Sequence, residues 1–234
     1  MLYDVKAVQD NIRNRDGKRV FYLGKADQLL SEARDWLSRE RIEILPADAA
    51  RPEQYEILSG GCAREKPEHM THLHGNVLVP KTHPRIAFRG AVDMLEADLL
   101  LAISGAEGEL RQKLLEVLAL TRKLIRWDVL MEPVEPEKLF GLTEQEIHER
   151  SHFPQRFYGK PHFMPTGEES ELLLRINRAR CAARNAELKA VAAFTDRDGN
   201  PVRPDILLEM NRLSSALYLL MIEQKAKEGT DGTG

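Results

Sequence analysis

The periods of the apolar positions change along the chain. Near the N-terminus, Lys18–Gly24 contains RVFYL, a β-branched and aromatic run that predicts a strand. Ala26–Arg41 follows with Leu29, Leu30, Ala33, Trp36 and Leu37 at helical spacing, and Ile42–Leu45 predicts a second short strand. Residues 1–60 thus predict a small strand–helix–strand lead module. No glycine-rich phosphate fingerprint joins its elements, so it is assigned no cofactor. Residues 61–90 are rich in Gly, Pro and His and have no helical period, which predicts loop or extended chain.

From Ala91 onward the period is helical. Asp93–Ser104 predicts one helix, and about Glu109–Met131 the next, with Leu110, Leu114, Val117, Leu118, Leu124 and Ile125 on one face. Pro133 and Pro136 end it. Thr143 with Glu146 reads as a capping box for a short helix through Arg150. Thr166 with Glu169 reads as another, opening a helix to about Phe194. After a turn at Asp198–Pro201, Pro204 suits the first position of a final helix whose stripe is Ile206, Met210, Leu213, Leu217, Leu220 and Met221. The fold class expected is mainly α, a bundle of about five helices behind a small α/β module. The expected divisions are 1–60, a binding-loop segment 61–90, a bundle 91–228 and a disordered tail 229–234.

Composition narrows the class. With 42% hydrophobic and 30% charged residues, the chain of 234 residues has a globular balance. A net charge of −3 argues against binding nucleic acid over the whole surface, while a local basic patch for a polyphosphate stays open. Cys62 and Cys181 are the whole thiol complement, which fits a reducing compartment and no disulfide framework. The N-terminus has no apolar core of signal-peptide length, and no run of about 18 apolar residues follows. A cytoplasmic protein without a membrane span is expected.

Several groups could carry chemistry, each with a plainer reading beside it. Arg180, Arg184 and Glu187 fall at i, i+4 and i+7 on one helix face, where two guanidinium groups could grip a triphosphate. A solvated salt-bridge ladder has the same spacing. Asp93 could cap its helix or turn inward to pair with an arginine. Lys81, His83 and Arg85 sit at alternate positions, so extended chain would aim them to one side, as an anion site or as a solvated basic strand. His69, His72, His74 and His83 could bind zinc or iron, although hydrogen-bonding loop histidines fit as well. Phe153, Phe157, Tyr158 and Phe163 could plug the bundle end or face a planar ligand.

Three ordered blocks then carry a resemblance. Val79-Pro80-Lys81-Thr82-His83-Pro84-Arg85-Ile86 runs into Gly90-Ala91-Val92-Asp93-Met94-Leu95. His162-Phe163-Met164-Pro165 precedes Arg180-Cys181-Ala182-Ala183-Arg184-Asn185-Ala186-Glu187, and Met210-Asn211-Arg212-Leu213-Ser214 lies in the last helix. This order resembles the cobalamin adenosyltransferases of the propanediol-utilisation branch. Lys66-Pro67, Thr71-His72-Leu73, Gly141–His148, Ser151-His152-Phe153-Pro154 and Arg203–Leu207 make the ethanolamine-utilisation branch look closer still. The resemblance covers roughly residues 60–225.

The resemblance implies transfer of the 5′-deoxyadenosyl group of ATP to the cobalt of reduced cobalamin, with Mg²⁺. Lys81, Glu187, Asn211 and Arg184 would bind ATP, with Arg184 supporting triphosphate departure and Arg212 as a further contact. Asp93 and Arg180 would form a buried pair that orients the site. Arg85 and Thr71 belong to the loop segments, and Thr71–Asn76 stands in for the family's Gly- and Thr-rich ATP loop, which this chain lacks. His162 occupies the place of the family's phenylalanine, with Phe163 beside it in the cobalamin loop. The His…Cys-Cys-x-x-Cys motif of some relatives is reduced to Cys62, so no metal site is transferred. A homo-oligomer with intersubunit sites, a reductase partner and association with a bacterial microcompartment are further implications. A helical scaffold, a corrinoid carrier and a histidine-loop metalloprotein stay open as other readings.

Overall fold

In the RVFYL run, Val20 and Phe21 are buried and their neighbours reach the surface, as a strand at a module's core requires. The computed structural model describes residues 1–15, 17–47 and 54–231. Its contacts form two compact units, Met1–His83 with Asp128–Glu132, and Pro84–Trp127 with Pro133–Gly234.

In the first unit, β1 (Leu2–Tyr3), α1 (Val5–Asp10) and β2 (Arg13–Arg15) precede β3 (Lys18–Leu23). β4 (Gln28–Leu29), α2 (Ser31–Arg39) and β5 (Glu43–Pro46) follow. β3 pairs antiparallel with β2 and parallel with β5, so the expected strand–helix–strand unit forms with an added edge. Its core is Val8, Ile12, Phe21, Ala33, Leu37 and Ile42. A second sheet takes β6 (Tyr55–Ile57), β7 (Cys62–Ala63), β8 (Met70–His74) and β9 (Val77–Pro80) in the order β7-β6-β9-β8. The segment 61–90 is therefore not simply loop: it holds three strands and the start of a helix. The strands are short and β9 pairs with the distant β6, so local composition carries little trace of them.

The second unit is built from α3 (Pro84–Ser104), α4 (Gly108–Leu130), α5 (Glu144–His152), α6 (Pro154–Tyr158), α7 (Glu171–Phe194) and α8 (Pro204–Asp231). These are six helices among the described residues of this unit rather than about five, and the mainly α class holds. α3 begins at Pro84 because proline suits a first turn. The expected box on α5 is complete: Glu146 N–H donates to Thr143 Oγ1, and Thr143 N–H donates to the Glu146 carboxylate. The expected box at Thr166 is not the start of α7. Gly167 has φ +98°, which breaks helical continuation, and Ser170 caps α7 by accepting from Leu173 N–H. Burial alone would raise the pKa of Glu169, but donors including the Thr166 and Gly167 amides and Lys225 outweigh it and hold it at about 2. α8 continues through Asp231, into the tail expected to be disordered, and residues 232–234 lie outside the described residues. No described helix is long and apolar enough to cross a membrane.

α7 sets the packing. Ala179, Ala183, Ala186 and Ala190 are fully buried along one side, and such small side chains let α3 and α8 approach its backbone closely. Phe88 of α3 meets Phe194 of α7 edge-on with ring centres 5.3 Å apart. Enlarging this seam has no free volume to use. Ala183→Leu should destabilise the helical unit by about 1–3 kcal/mol, read as an earlier midpoint in urea unfolding followed by helical circular dichroism.

One buried polar group is unusual. Glu209 of α8 is only 2% exposed, and burial, reinforced by a hydrogen bond and charge repulsion from Glu144, pushes its carboxyl up to about 8. The protonated form is favoured in the fold, so the stabilisation is complete below the unfolded value of about 4.5 and is lost as pH rises through about 8. The melting temperature should fall between pH 5 and 9 (roughly that linkage window), and Glu209→Gln should flatten the profile. Equal slopes in both proteins would contradict the assignment.

Candidate active site

Arg180, Arg184 and Glu187 lie on the flank of α7 beside its buried alanine seam. Arg184 is exposed and Glu187 half-buried, and neither has a hydrogen-bond or ion-pair partner among the described residues. The salt-bridge ladder that their spacing also allowed is therefore not made. Arg180 is held differently. Its Nε and Nη2 both donate to Asn177 Oδ1 at 3.2 Å, and its guanidinium carbon lies 6.0 Å from the centre of the Tyr218 ring.

The expected buried pair of Asp93 and Arg180 is absent from the chain. Asp93 is exposed, on the side of α3 opposite Val92, Leu95 and Leu99, and Arg180 is committed to Asn177. An ion pair that does join α3 to α7 is Asp98 Oδ1 with Arg178 Nε at 2.8 Å, and Asp98 is 6% exposed. The helical register of α3 decides this, because Asp98 falls on the face that carries Leu95 and Leu99.

On α8, Asn211 is exposed and Arg212 half-buried. Arg212 Nη1 reaches His148 Nδ1 at 3.1 Å, while its buried Nε has no partner among the described residues. Burial first, then the charges of Arg212 and His152, lower the His148 pKa, which leaves Nδ1 free to accept. His148 and His152 meet edge-on, 4.2 Å between ring centres.

The loop after α6 carries His162 and Phe163. Gly159 ends α6 in the left-handed conformation, φ +65°, and turns the chain into this loop. His162 Nε2 lies 3.1 Å from the His152 carbonyl, and Nδ1 lies 3.0 Å from the Tyr218 hydroxyl. Phe163 N–H donates to the same hydroxyl at 3.3 Å. Both rings stack with Tyr218, at 5.7 Å and 6.3 Å between centres. An open apolar cleft of about 400 Å³ lies beside His162, lined by His152, Phe153, Pro154 and Pro161. Another of about 450 Å³ lies beside Phe163, between Lys160, Glu169, Lys225 and Glu228. Sequence reasoning singled out His162, Phe163 and Arg180, but not Tyr218 and Asn177, which contact them here. The only trace of Tyr218 was a phenol between Leu217 and Leu219, beside the final stripe.

Arg85, in the first turn of α3, stands over the Phe194 ring at 5.8 Å. It does not lie on an extended run with Lys81 and His83, because His83 N–H donates to Pro80 O in a turn and the helix begins directly after. In the first unit, Lys81 follows β9, exposed, with Nζ 3.2 Å from Glu68 Oε1. Thr71 is half-buried on β8, paired in register with Val79. His72 packs edge-on against Tyr55 at 5.5 Å.

Known proteins share much of this chain. The sequence model of the family described as cobalamin adenosyltransferase matches residues 62–224. The corrinoid adenosyltransferase EutT of Salmonella typhimurium is 34% identical over 164 residues, 70% of this chain and 61% of that protein. EutT of Escherichia coli K12 is 32% identical over 165 residues, with the same coverage. The chain thus spans 61% of the length of these curated relatives. Among solved structures, a variant of the PduO-type ATP:corrinoid adenosyltransferase from Lactobacillus reuteri, complexed with cobalamin and ATP, superimposes with a TM-score of 0.55 at 19% identity. That superposition covers 69% of this chain and 91% of that one. A second variant of that enzyme, complexed with ATP, gives 0.54 at 19% identity over 69% and 92%. At such identity the likeness concerns the fold alone. The family match over most of the chain, with relatives above 30% identity, carries the assignment: this chain belongs to the cobalamin adenosyltransferase family.

Proposed function

We propose that the chain transfers the 5′-deoxyadenosyl group of ATP to the cobalt of reduced cobalamin, releasing triphosphate, in the service of ethanolamine utilisation. The observation that carries this reading is the open row on α7, where Arg184 and Glu187 stand without partners in a fold shared with the family. A cation left unpaired beside a half-buried carboxylate suits a polyphosphate better than a structural role.

The substrates supply the reacting groups. Cobalt(I) donates the electron pair that forms the Co–C bond, and the C5′–O bond breaks with its electrons on the departing triphosphate. The protein needs no nucleophile of its own. Its tasks are to position C5′ over cobalt and to stabilise charge on the leaving group. Arg184 and Asn211 suit the second task, with Arg180, Arg85 and Arg212 as supporting contacts, and Lys81 and Thr71, in the first unit, are further ATP-binding candidates. Glu187 offers the hard oxygen donors that Mg²⁺ prefers, and the ion would neutralise phosphate charge there. His162 and Phe163 present a flat surface for the corrinoid, and an apolar wall would exclude water and an axial ligand while a reductase supplies the electron.

We further propose that the working form is a homo-oligomer with sites completed between copies. α3 exposes Ala87, Gly90, Met94, Ala97 and Leu101 on one stripe, with Met94 59% exposed, and Leu188 on α7 is 70% exposed. Apolar stripes of this spacing are costly to leave in water. Asp93 borders the stripe, where a second copy could reach it. Cytoplasmic action and association with a microcompartment belong to the same reading.

An anaerobic assay with MgATP and chemically reduced cobalamin tests the reaction. Wild-type protein should convert the cob(I)alamin spectrum to that of adenosylcobalamin, and Arg184→Ala should lower kcat about a hundredfold or more. Corrinoid binding without turnover would leave a carrier, and neither would leave a scaffold. Light scattering should show an oligomer for the wild type and a smaller species for Met94→Glu, and a wild-type monomer would overturn the assembly.

A further inference from the structure

The loop that holds His162 and Phe163 has no regular secondary structure, so a few side-chain bonds must fix it against the entropy of a free segment. Those bonds converge on Tyr218. Its hydroxyl meets His162 Nδ1 at 3.0 Å and Phe163 N–H at 3.3 Å, and its ring stacks with both side chains. The Arg180 guanidinium also stands over this ring, 6.0 Å from its centre. Leu217, Leu219 and Leu220 around it on α8 are fully buried, and packing alone would be served by one more leucine. The phenol turns from that core toward the loop.

The bonding of the hydroxyl is fully used. The His152 carbonyl only accepts, so Nε2 of a neutral His162 carries the proton and Nδ1 presents its lone pair. Tyr218 then donates to Nδ1 and accepts from Phe163 N–H, so one oxygen fixes two successive residues.

We propose that Tyr218 is a positioning residue that holds the His162–Phe163 loop in its corrinoid-facing form and joins it to Arg180 on the ATP-gripping helix. The proposal rests on the adenosyltransferase reading above. In that reading the two substrates contact different elements, α7 and the loop, and their reacting atoms must meet to within a fraction of an ångström. Tyr218 touches both elements.

The two functions of the side chain separate by mutation. Tyr218→Phe keeps the ring and deletes the hydroxyl, so KM for cobalamin should rise about tenfold, the scale of one or two lost neutral hydrogen bonds, while KM for ATP stays within about twofold. Tyr218→Leu removes the ring as well and should raise KM for ATP too. Cob(II)alamin bound to Tyr218→Phe should show an absorption spectrum closer to that of the free, axially ligated form. His162→Phe, at an exposed position outside the core, keeps a flat ring but deletes the bond to the Tyr218 hydroxyl and should reproduce the Tyr218→Phe effect, so the test stands even if the α8 variant melts early. The two changes together should cost no more than either alone. An unchanged cobalamin KM in both variants, or equal rises for the two substrates in Tyr218→Phe, would overturn the proposal. A wild-type protein that neither binds nor converts cobalamin would overturn the adenosyltransferase reading instead.

Discussion

The alanine seam of α7 is the constraint on which the helical unit depends. Ala179, Ala183, Ala186 and Ala190 bring the backbones of α3 and α8 close, and the side chains at the edge of the seam inherit that closeness. Arg178 reaches Asp98 on α3, and Arg180 reaches over Tyr218 on α8, because α7 lies near enough to both for one guanidinium each. The side chains beyond the edge, Arg184 and Glu187, have no such neighbour and stay open. One helix therefore carries a packed side that orders the unit and a flank left open.

Much of the fold was legible because its elements are local. RVFYL and the spacing of Ala33, Trp36 and Leu37 mark their strand and helix locally, although the helix expected from Ala26 starts only at Ser31, with Leu29 in β4 and Leu30 at its N-cap, and Thr143 with Glu146 completes its own cap. What was not legible depends on partners far away in sequence. β6 and β9 pair across some twenty residues (roughly, by their bounds) that include the loop-like Gly–Cys–Pro segment. Ser170 takes the cap from Thr166 because Gly167 adopts a positive φ that composition does not announce.

The site divides in the same way. The row of Arg180, Arg184 and Glu187 follows from helical spacing alone. The choice between Asp93 and Asp98 does not, since it depends on which side of α3 faces α7, and an acidic residue suits either side until the register is known. Tyr218 was hidden for a related reason. Beside the apolar stripe of the last helix a single aromatic announces no partner, and only the loop's position gives its hydroxyl work to do.

His162 also bears on coordination chemistry. A histidine near a cobalt centre would ordinarily compete to become its lower donor. Here one ring nitrogen is tied to a carbonyl and the other to a phenol, so no lone pair is left to offer. Toward a metal such an imidazole presents a flat face in place of a donor atom.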